Sequence, residues 1–412
     1  MASKKSRNSK SNISNNKKAG GKKPAKWKGL VISLLIFLVL QEVVLRMAFP
    51  LPEIKNFNRI NYQILDPIGA DGPGYLRNIN MTWSSSLDTS VAFTHAFNRY
   101  GYRDKEWKVK KKNGQKRIFF VGDSFVEGMM ASQDQRMTES FLKAAEAQGE
   151  NYDVFNCGMM GIGLNEYIKF LVDAVPVFKP DEVFLVLYAN DIPFQRPYQP
   201  ASQFQPEYYN SLKPRFLEVK DQMASKSPIP FAWNKEVKPF HEPVPAPGNP
   251  WTYNSPQLAK QVSERIARAM RLGTFNFFRT NWILEEEKFL KATPEISTKL
   301  QFIKDFLTQQ GAELTVFYIP SRSQVTDFYY QFERQACLIN CPDYLSLTGS
   351  SYQIHQQVLK QESEKLGFPF YDFTDLVRAE ENQRNHLYWD YDDHMRTKGY
   401  DLIGKVIYEW WK

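Results

Sequence analysis

The sequence predicts an α/β domain that contains a central parallel sheet and follows a single membrane-spanning helix near the N-terminus. Two observations lead to this fold class. From residue 117 onward, short apolar runs alternate with longer segments of helical periodicity, which is typical of parallel strands linked by helices. Before them, a lysine-rich segment leads directly into an apolar stretch of about the length that crosses a bilayer. The 412 residues allow one such domain with insertions.

The net charge of +8 is concentrated in residues 1–28. This tail contains ten of the 53 lysines and arginines and no acidic residue. The rest of the chain has 43 basic against 45 acidic residues and is therefore nearly neutral. A segment rich in Ser, Asn, Lys and Gly is typical of disordered tails. Because the charge belongs to this tail, we expect contact with anionic lipid and no nucleic-acid partner.

The apolar stretch at 29–49 is predicted to be a transmembrane anchor. Gln41 and Glu42 interrupt it about two-thirds of the way along, where a carboxylate can lie near the membrane interface. The positive-inside rule puts the basic tail in the cytoplasm and the domain in the periplasm or outside the cell. A cleaved signal peptide is one alternative, but residues 46–50 form a poor cleavage site. A buried core helix is the other, and it leaves the lysine tail unexplained.

The elements of the domain follow a lead-in at 50–115 that contains turn signals and short alternating stretches. Residues 116–412 are assigned to the domain, with a Pro-, Gln- and Tyr-rich insertion at 193–295 that breaks the alternation. The predicted strands are 117–122, 152–156, 182–188, 312–319 and 368–372. The predicted helices are 125–148, 164–178, 256–270, 276–309, 352–366 and 397–411.

The three cysteines bear on the compartment and on metal binding. Cys337 and Cys341 are four residues apart, so a small local disulfide is compatible with an oxidising compartment. Cys157 is expected to be a small buried apolar residue. Because the chain lacks paired Cys-x-x-Cys motifs, no structural zinc site is predicted, and neither a metal nor an organic cofactor is expected.

Candidate functional residues follow the ends of three predicted strands and precede the last helix. Ser124 follows the first strand, a glycine-rich loop at 156–163 follows the second, and Asn190 follows the third. Of the five histidines, His394 is the one that has carboxylates within two residues in a polar segment that leads into a helix. Ligands of an open parallel sheet bind beyond the carboxyl ends of its strands, so we expect these segments to meet at one edge.

These residue types suit acyl transfer. A serine at the start of a helix can attack a carbonyl, and a histidine can take its proton if a carboxylate fixes the imidazole tautomer. Backbone N–H groups of the helix start and of a glycine loop can stabilise the resulting oxyanion. An asparagine amide supplies a further neutral donor.

A structural interpretation competes with the catalytic one at each position. Ser124 lies in a common helix-capping pattern. The glycines at 156–163 also suit an ordinary turn, although they do not fit the Gly-x-Gly-x-x-Gly pattern of dinucleotide binding. Asn190 is compatible with a strand-end turn, and His394 with a surface position. Arg322, after the fourth strand, is compatible with a pocket for an anionic substrate or with plain solvent exposure.

The ordered set of motifs resembles that of the SGNH, or GDSL-type, hydrolase family. Residues 119–125, Phe-Phe-Val-Gly-Asp-Ser-Phe, resemble its first block, and 156–161 resemble its second, in which the last glycine belongs to the oxyanion hole. Residues 188–191 resemble the third block, Gly-x-Asn-Asp, with Tyr188 where glycine is common. Residues 98–104 resemble the lead-in of membrane-anchored bacterial members.

The resemblance extends over residues 98–192 and 313–412 and implies a role for each candidate residue. It implies that Ser124 is the nucleophile, with His394, in the counterpart of the fifth block, as its base. Gly161 and Asn190 are the implied oxyanion-hole residues. With the alternation of strands and helices, this resemblance predicts a flavodoxin-like three-layer sandwich.

The acid of the triad departs from the common family pattern, in which aspartate lies three residues before the histidine. That position is Tyr391. Asp392 matches a variant of polysaccharide O-acetylation relatives, and in an extended segment it lies on the same side as His394. Asp390 is the second choice, and Asp393 is predicted to face away. Asp392 is therefore the predicted acid.

The sequence supports three functional hypotheses. The first is an esterase that removes acyl groups from an envelope glycan or lipid by means of a Ser-His-Asp triad. The second is an O-acyltransferase that modifies a cell-surface polymer with the same residues. The third is an envelope binding protein that retains the site without catalysis. The acyl group and the alcohol of the substrate are not specified by these motifs.

Overall fold

A computed structural model of the chain describes residues 26–48, 80–84, 92–98, 100–159, 161–192, 213–217, 220, 286–329, 353–389 and 392–412. In the lead-in, β1 (Asn80–Ser84) pairs antiparallel with β2 (Ala92–Ala96). This agrees with the short strands expected there. The predicted helix at 256–270 and the cysteines Cys337 and Cys341 lie outside the described residues.

The N-terminal helix α1 (Lys26–Ala48) is long and apolar enough, from Trp27 onward, to cross a membrane. Glu42, a polar residue within this apolar helix, makes contacts with other residues of the chain. The Glu42 carboxylate lies 2.5 Å from Arg46 Nε and accepts a hydrogen bond of 2.7 Å from the backbone N–H of Arg215. A carboxylate with these donors costs less to hold near a bilayer than an isolated one.

Five parallel strands form the central sheet of the domain. They are β3 (Arg117–Gly122), β4 (Asp153–Gly158), β5 (Glu182–Tyr188), β6 (Glu313–Ile319) and β7 (Phe370–Asp372). Their spatial order is β4-β3-β5-β6-β7. Counted from β3 as the first strand, this is the order 2-1-3-4-5 of flavodoxin-like folds. The predicted fold class is confirmed.

Helices lie on both faces of the sheet. They are α2 (Ser124–Glu127), α3 (Met137–Ala147), α4 (Leu164–Phe178), α5 (Glu286–Gln310), α6 (Arg322–Val325), α7 (Ile354–Leu366), α8 (Thr374–Asn382) and α9 (Thr397–Trp411). The β3–β4 and β4–β5 connections run in opposite directions across the sheet, so right-handed crossovers place α3 and α4 on opposite faces. Because α9 packs against α3, and α5 packs against α4 and α7, the result is three layers.

The strands read as continuous apolar runs because both faces of the sheet are covered. Every residue of β3 and β5 is buried. The charged residues at their amino ends are paired: Arg117 Nε lies 2.8 Å from Asp153, and Thr315 donates a 2.8 Å hydrogen bond to Glu182. Charged groups at the amino ends of these strands are thus held by polar partners.

One predicted element is wrong in its extent. The helix expected at 125–148 is split into α2, a 3₁₀ turn (Gln133–Gln135) and α3. Gly128 and Met130 adopt left-handed backbone conformations, with φ of 82° and 62°, which end α2 after one turn. Apolar periodicity alone does not reveal such a break, because the residues on both sides of it still face the core.

Other predicted elements agree closely with the structure, and two were missed. The helices at 164–178 and 397–411 and the strands at 117–122 and 182–188 have the predicted bounds. Helix α8 and a short antiparallel hairpin, β8 (Tyr388–Trp389) and β9 (Asp392–Met395), were not predicted as such. Strands of two and four residues are too short to give a periodic signal.

A half-buried acid on α4 makes the stability of the domain depend on pH. Burial raises the pKa of Asp173 to about 7. In the unfolded chain a carboxyl group of this kind titrates near ~4, so stability falls as the pH rises from there through the folded-state pKa. Asp173→Asn should therefore stabilise the protein at pH 8 by about 1–2 kcal/mol, after allowance for partial exposure, and by much less at pH 4. Thermal unfolding at the two pH values measures this, and an equal effect at both would contradict it.

Candidate active site

Ser124 lies directly after β3, at the first position of α2. The cap of this helix is Asp123, whose carboxylate accepts a 2.9 Å hydrogen bond from the N–H of Phe125. The alternative interpretation of Ser124 as the helix cap is therefore wrong, because Asp123 caps the helix. The N–H of Glu127 also donates to Asp123, at its backbone carbonyl, over 3.0 Å.

His394 lies on β9 and contacts Ser124, although the two residues are 270 positions apart. Its Nε2 is 2.7 Å from Ser124 Oγ. Both side chains are largely buried, with exposed fractions of 9% and 4%. Phe125 packs beside the imidazole, with ring centroids 5.2 Å apart. With the proton on Nδ1, the imidazole can accept the hydroxyl hydrogen bond, which is the arrangement of a general base and its nucleophile.

Carboxylates flank His394 in the sequence, and the structure describes the side chain of Asp393. Asp393 Oδ1 lies 4.0 Å from Nδ1 of the imidazole, which is too long for a hydrogen bond. It is nevertheless closer than an outward-facing position would allow. Asp392 lies on β9 next to it, and its side chain, like Asp390 as a whole, lies outside the described residues. The identity of the triad acid stays a prediction.

The glycine loop after β4 meets α2 through close backbone contact. A Cβ on Gly158 would lie 2.1 Å from the backbone nitrogen of Glu127, so only glycine fits there. Asn156 sets the position of this strand end: its amide donates to Val126 O at 2.7 Å and accepts from the N–H of Gly158 at 3.0 Å. Gly161 is exposed and has a left-handed φ of 75°. Of the glycines in this loop, Gly158 supports the helix that carries Ser124.

Asn190 occupies a 3₁₀ turn (Ala189–Asp191) at the carboxyl end of β5 and is half-buried. The turn is held by Asp191, whose carboxylate accepts hydrogen bonds of 2.9 Å from the N–H of Tyr188 and from the hydroxyl of Tyr167. Because Tyr167 belongs to α4, this carboxylate ties the Asn190 turn to the helix that follows the glycine loop. The side chain of Tyr188 stacks on Phe125 with ring centroids 3.8 Å apart.

Two buried acids lie close together behind the site. Burial and the nearby Asp123 carboxylate raise the pKa of Asp191 well above its usual range. The N–H of Tyr188 and the hydroxyl of Tyr167 act in the opposite direction, since they stabilise the charged form. No function was predicted for Asp191 from the sequence. The only signal for it was its place after Asn190 in the third block.

The segment at 98–104 holds the loop that follows α2. The buried guanidinium of Arg103 donates to Gly128 O at 2.5 Å and to Ala131 O at 2.7 Å. Asp104 accepts a 2.9 Å hydrogen bond from the N–H of Asn156. These contacts show that Arg103 and Asp104 support the loop after α2 and the strand β4.

The site lies where the chain order of the sheet reverses. The chain leaves β3 for β4 on one side and then crosses to β5 on the other, so a crevice opens beyond the ends of β3 and β5. Ser124 and Asn190 lie at those two ends. Among the described residues, no group of three or more His, Cys, Asp or Glu side chains is arranged to hold a metal ion. The described site thus contains a serine and a histidine in hydrogen-bond contact at the carboxyl end of β3.

The chain is similar to several proteins of known structure. No family model matches the chain, and no curated protein matches it in sequence. A lipase/acylhydrolase from Enterococcus faecalis is 14% identical, over 72% of this chain and 94% of its own, with a TM-score of 0.36. The psychrotrophic esterase EstA from Pseudoalteromonas sp. is 11% identical, over 72% of this chain and 96% of its own, with a TM-score of 0.34.

A third likeness is to a protein from Desulfitobacterium hafniense DCB-2 that is described as lipolytic and of the G-D-S-L family. It is 9% identical, over 72% of this chain and 99% of its own, with a TM-score of 0.33. The chain is therefore similar in structure to proteins of the type that its motifs resemble.

The close contact at Gly158 makes the position of Ser124 sensitive to a single methyl group. Gly158→Ala should destabilise the protein by about 1–3 kcal/mol and slow the reaction of Ser124 with a fluorophosphonate, because α2 must move. Gly163→Ala is the matched control, since its Cβ would meet only Asp191 Oδ1 at 3.7 Å. Chemical denaturation and labelling rates measure both effects. Equal behaviour of the two variants would show that the contact with α2 is not limiting.

Proposed function

We propose that the chain is a serine hydrolase that cleaves an acyl ester. The observation that carries this proposal is the 2.7 Å contact between Ser124 Oγ and His394 Nε2 at the carboxyl edge of the sheet. A purely structural role for Ser124 and His394 explains their positions less well than a catalytic one. The helix start has its own cap in Asp123, and His394 reaches Ser124 from the far end of the chain.

The proposed reaction begins when Ser124 Oγ attacks the ester carbonyl and His394 Nε2 takes the hydroxyl proton. Asp392 holds the imidazole in the required tautomer. The N–H groups of Ser124 and Gly161 and the side-chain amide of Asn190 stabilise the oxyanion. Collapse of the tetrahedral intermediate breaks the ester C–O bond, and His394 returns the proton to the leaving alcohol. Water then attacks the acyl-enzyme, and His394 again acts first as base and then as acid.

The proposed substrate is an O-acyl group on an envelope glycan or lipid. Helix α1 supports a location at a membrane, because it is long and apolar enough to span one. The ten basic residues of the tail favour a cytoplasmic N-terminus, which places the domain in the periplasm or outside the cell. A substrate carried in the envelope would then be within reach of the anchored site.

Acyl transfer to a surface polymer is the second candidate function. It uses the same acyl-enzyme and differs only in the acceptor, which is a sugar hydroxyl in place of water. A non-catalytic binding role is the third, and it predicts an unreactive Ser124. The buried, paired serine and histidine favour the two catalytic functions over the third.

Covalent labelling tests the proposed nucleophile. The full chain in detergent should react with a fluorophosphonate at one serine, and Ser124→Ala should abolish this reaction. His394→Gln should slow it by about 10⁴-fold or more, because the hydroxyl loses its base. Tryptic mapping of the labelled peptide identifies the residue. Failure of the wild-type protein to react at any pH between 5 and 9 would reject both catalytic functions.

Separate substitutions of the three neighbouring aspartates test the proposed triad acid. Asp392→Asn should lower kcat by about 10³- to 10⁴-fold, since the imidazole loses the group that fixes its tautomer. Asp390→Asn and Asp393→Asn are the matched controls and should keep most of the activity. If Asp393→Asn causes the large loss, the carboxylate 4.0 Å from Nδ1 moves in to become the acid and Asp392 is rejected.

The fate of the acyl group distinguishes hydrolysis from transfer. With a small acyl ester as donor, a hydrolase should release the free acid at the same rate with or without an added glycan. A transferase should release little acid alone and should acylate the glycan when it is present. Mass spectrometry of both products decides between them, and Ser124→Ala should suppress either reaction.

A further inference from the structure

The hairpin that carries His394 is too small to fix its own position. Its two strands, β8 and β9, are joined by two residue pairs, Tyr388 with Met395 and Trp389 with Asp392, and the register shifts between them. An isolated two-stranded hairpin is at best marginally stable in water. Yet the imidazole of His394 must stay within hydrogen-bond distance of Ser124. Contacts from outside the hairpin are therefore needed to hold it.

Glu381 provides the central contact. It lies on α8, and its side chain is buried. One carboxylate oxygen accepts a 2.7 Å hydrogen bond from the backbone N–H of Leu387 and a 3.0 Å bond from the hydroxyl of Tyr329. The other lies 2.9 Å from Nδ1 of His386. A buried carboxylate with three donors is rigid, and it fixes the chain just before β8 begins.

Tyr329 extends this contact to β8 itself. Its hydroxyl accepts a 3.1 Å hydrogen bond from the backbone N–H of Tyr388 while it donates to Glu381. Burial and the charge of Glu381 raise the pKa of Tyr329 well above its ordinary value, so the hydroxyl keeps its proton. The ring packs against that of Tyr388, with centroids 6.0 Å apart. The first residue of β8 is thus held through its backbone.

Arg322 holds the next residue of β8. Its guanidinium donates a 2.7 Å hydrogen bond to the carbonyl of Trp389 and lies over the ring of Tyr329, 5.2 Å from the centroid. The side chain is buried, with an exposed fraction of 4%. Of the two interpretations of Arg322 from sequence, solvent exposure is wrong. Its bond to the Trp389 carbonyl gives this arginine a role in holding the hairpin.

Three consecutive residues, 387–389, are therefore bound through their backbone by side chains from outside the hairpin. We propose that Glu381, Tyr329 and Arg322 form a clamp that positions His394 against Ser124, with Glu381 as its central positioning residue. The clamp acts on His394 indirectly, through the pairing of Tyr388 on β8 with Met395 on β9, the residue after His394. A displacement of β8 is passed to β9 and changes the Nε2–Oγ distance.

The consequence for catalysis rests on the proposed function, whereas the clamp itself does not. Misplacement of a reacting group by about 1 Å can cost on the order of 100-fold in rate. The clamp therefore predicts a loss in kcat with little change in KM, because substrate binding is not its task. It also predicts that the hairpin becomes more dynamic when the clamp is broken.

Hydrogen–deuterium exchange of the full chain tests the clamp without reference to activity. In Glu381→Leu, peptides that span 386–396 should exchange about tenfold faster than in wild type, because buried donors lose their acceptor. Glu182→Leu is the matched control: Glu182 is another buried carboxylate, at the opposite edge of the sheet. It should leave these peptides unchanged. Equal exchange of 386–396 in Glu381→Leu and wild type would overturn the clamp.

The rate of fluorophosphonate labelling tests the consequence for Ser124. Glu381→Leu should lower it by about 100-fold, and Glu381→Gln should restore most of it, since a Gln oxygen can accept from Leu387 and Tyr329. Tyr329→Phe removes a single hydroxyl and serves as the test if Glu381→Leu does not fold. It should slow the labelling of Ser124 and speed up hydrogen exchange in the hairpin. Faster exchange with an unchanged labelling rate would overturn the positioning role. A wild-type protein that never labels would reject the proposed function, while the exchange experiment would still decide the clamp.

Discussion

The hydrogen bond between Ser124 and His394 is the constraint on which the arrangement of this molecule depends. It joins the end of the first strand of the sheet to a hairpin 270 residues further along the chain. Neither residue fixes its own position. Ser124 needs a helix start fixed beside two other strand ends, and His394 needs a short hairpin fixed from outside.

The helix start of Ser124 is held from three directions. Asp123 caps it, Gly158 lets the end of β4 approach its backbone, and Asn156 binds the carbonyl of Val126. Arg103, in the lead-in before the sheet, then holds the carbonyls of the loop that follows. The lead-in is thus part of the support of the site, although it precedes the first strand of the sheet.

Two buried acids, Asp191 and Glu381, belong to this rigid arrangement. Asp191 is held between Tyr167 and the backbone of Tyr188, where burial and Asp123 raise its pKa. Glu381 has a comparable place on the other side of the site, between Tyr329 and the backbone of Leu387. Asp191 binds the backbone N–H of Tyr188, in the strand that ends at the Asn190 turn. Glu381 binds the backbone N–H of Leu387, just before the hairpin that carries His394. Burial of a carboxylate is costly unless it is hydrogen-bonded, and each of these two acids has its hydrogen-bond donors in place.

The sequence by itself determined the fold class and the bounds of most strands and helices, and it made Ser124 and His394 candidate functional residues. It could do so because covered parallel strands and amphipathic helices have distinct periods, and because the chemical motifs follow strand ends in order. Only the tertiary structure decided that Ser124 and His394 meet, that α2 ends after one turn, and that Glu381, Tyr329 and Arg322 surround β8. These contacts join residues far apart in the chain or depend on backbone conformations at single positions, and neither leaves a periodic signal in the sequence.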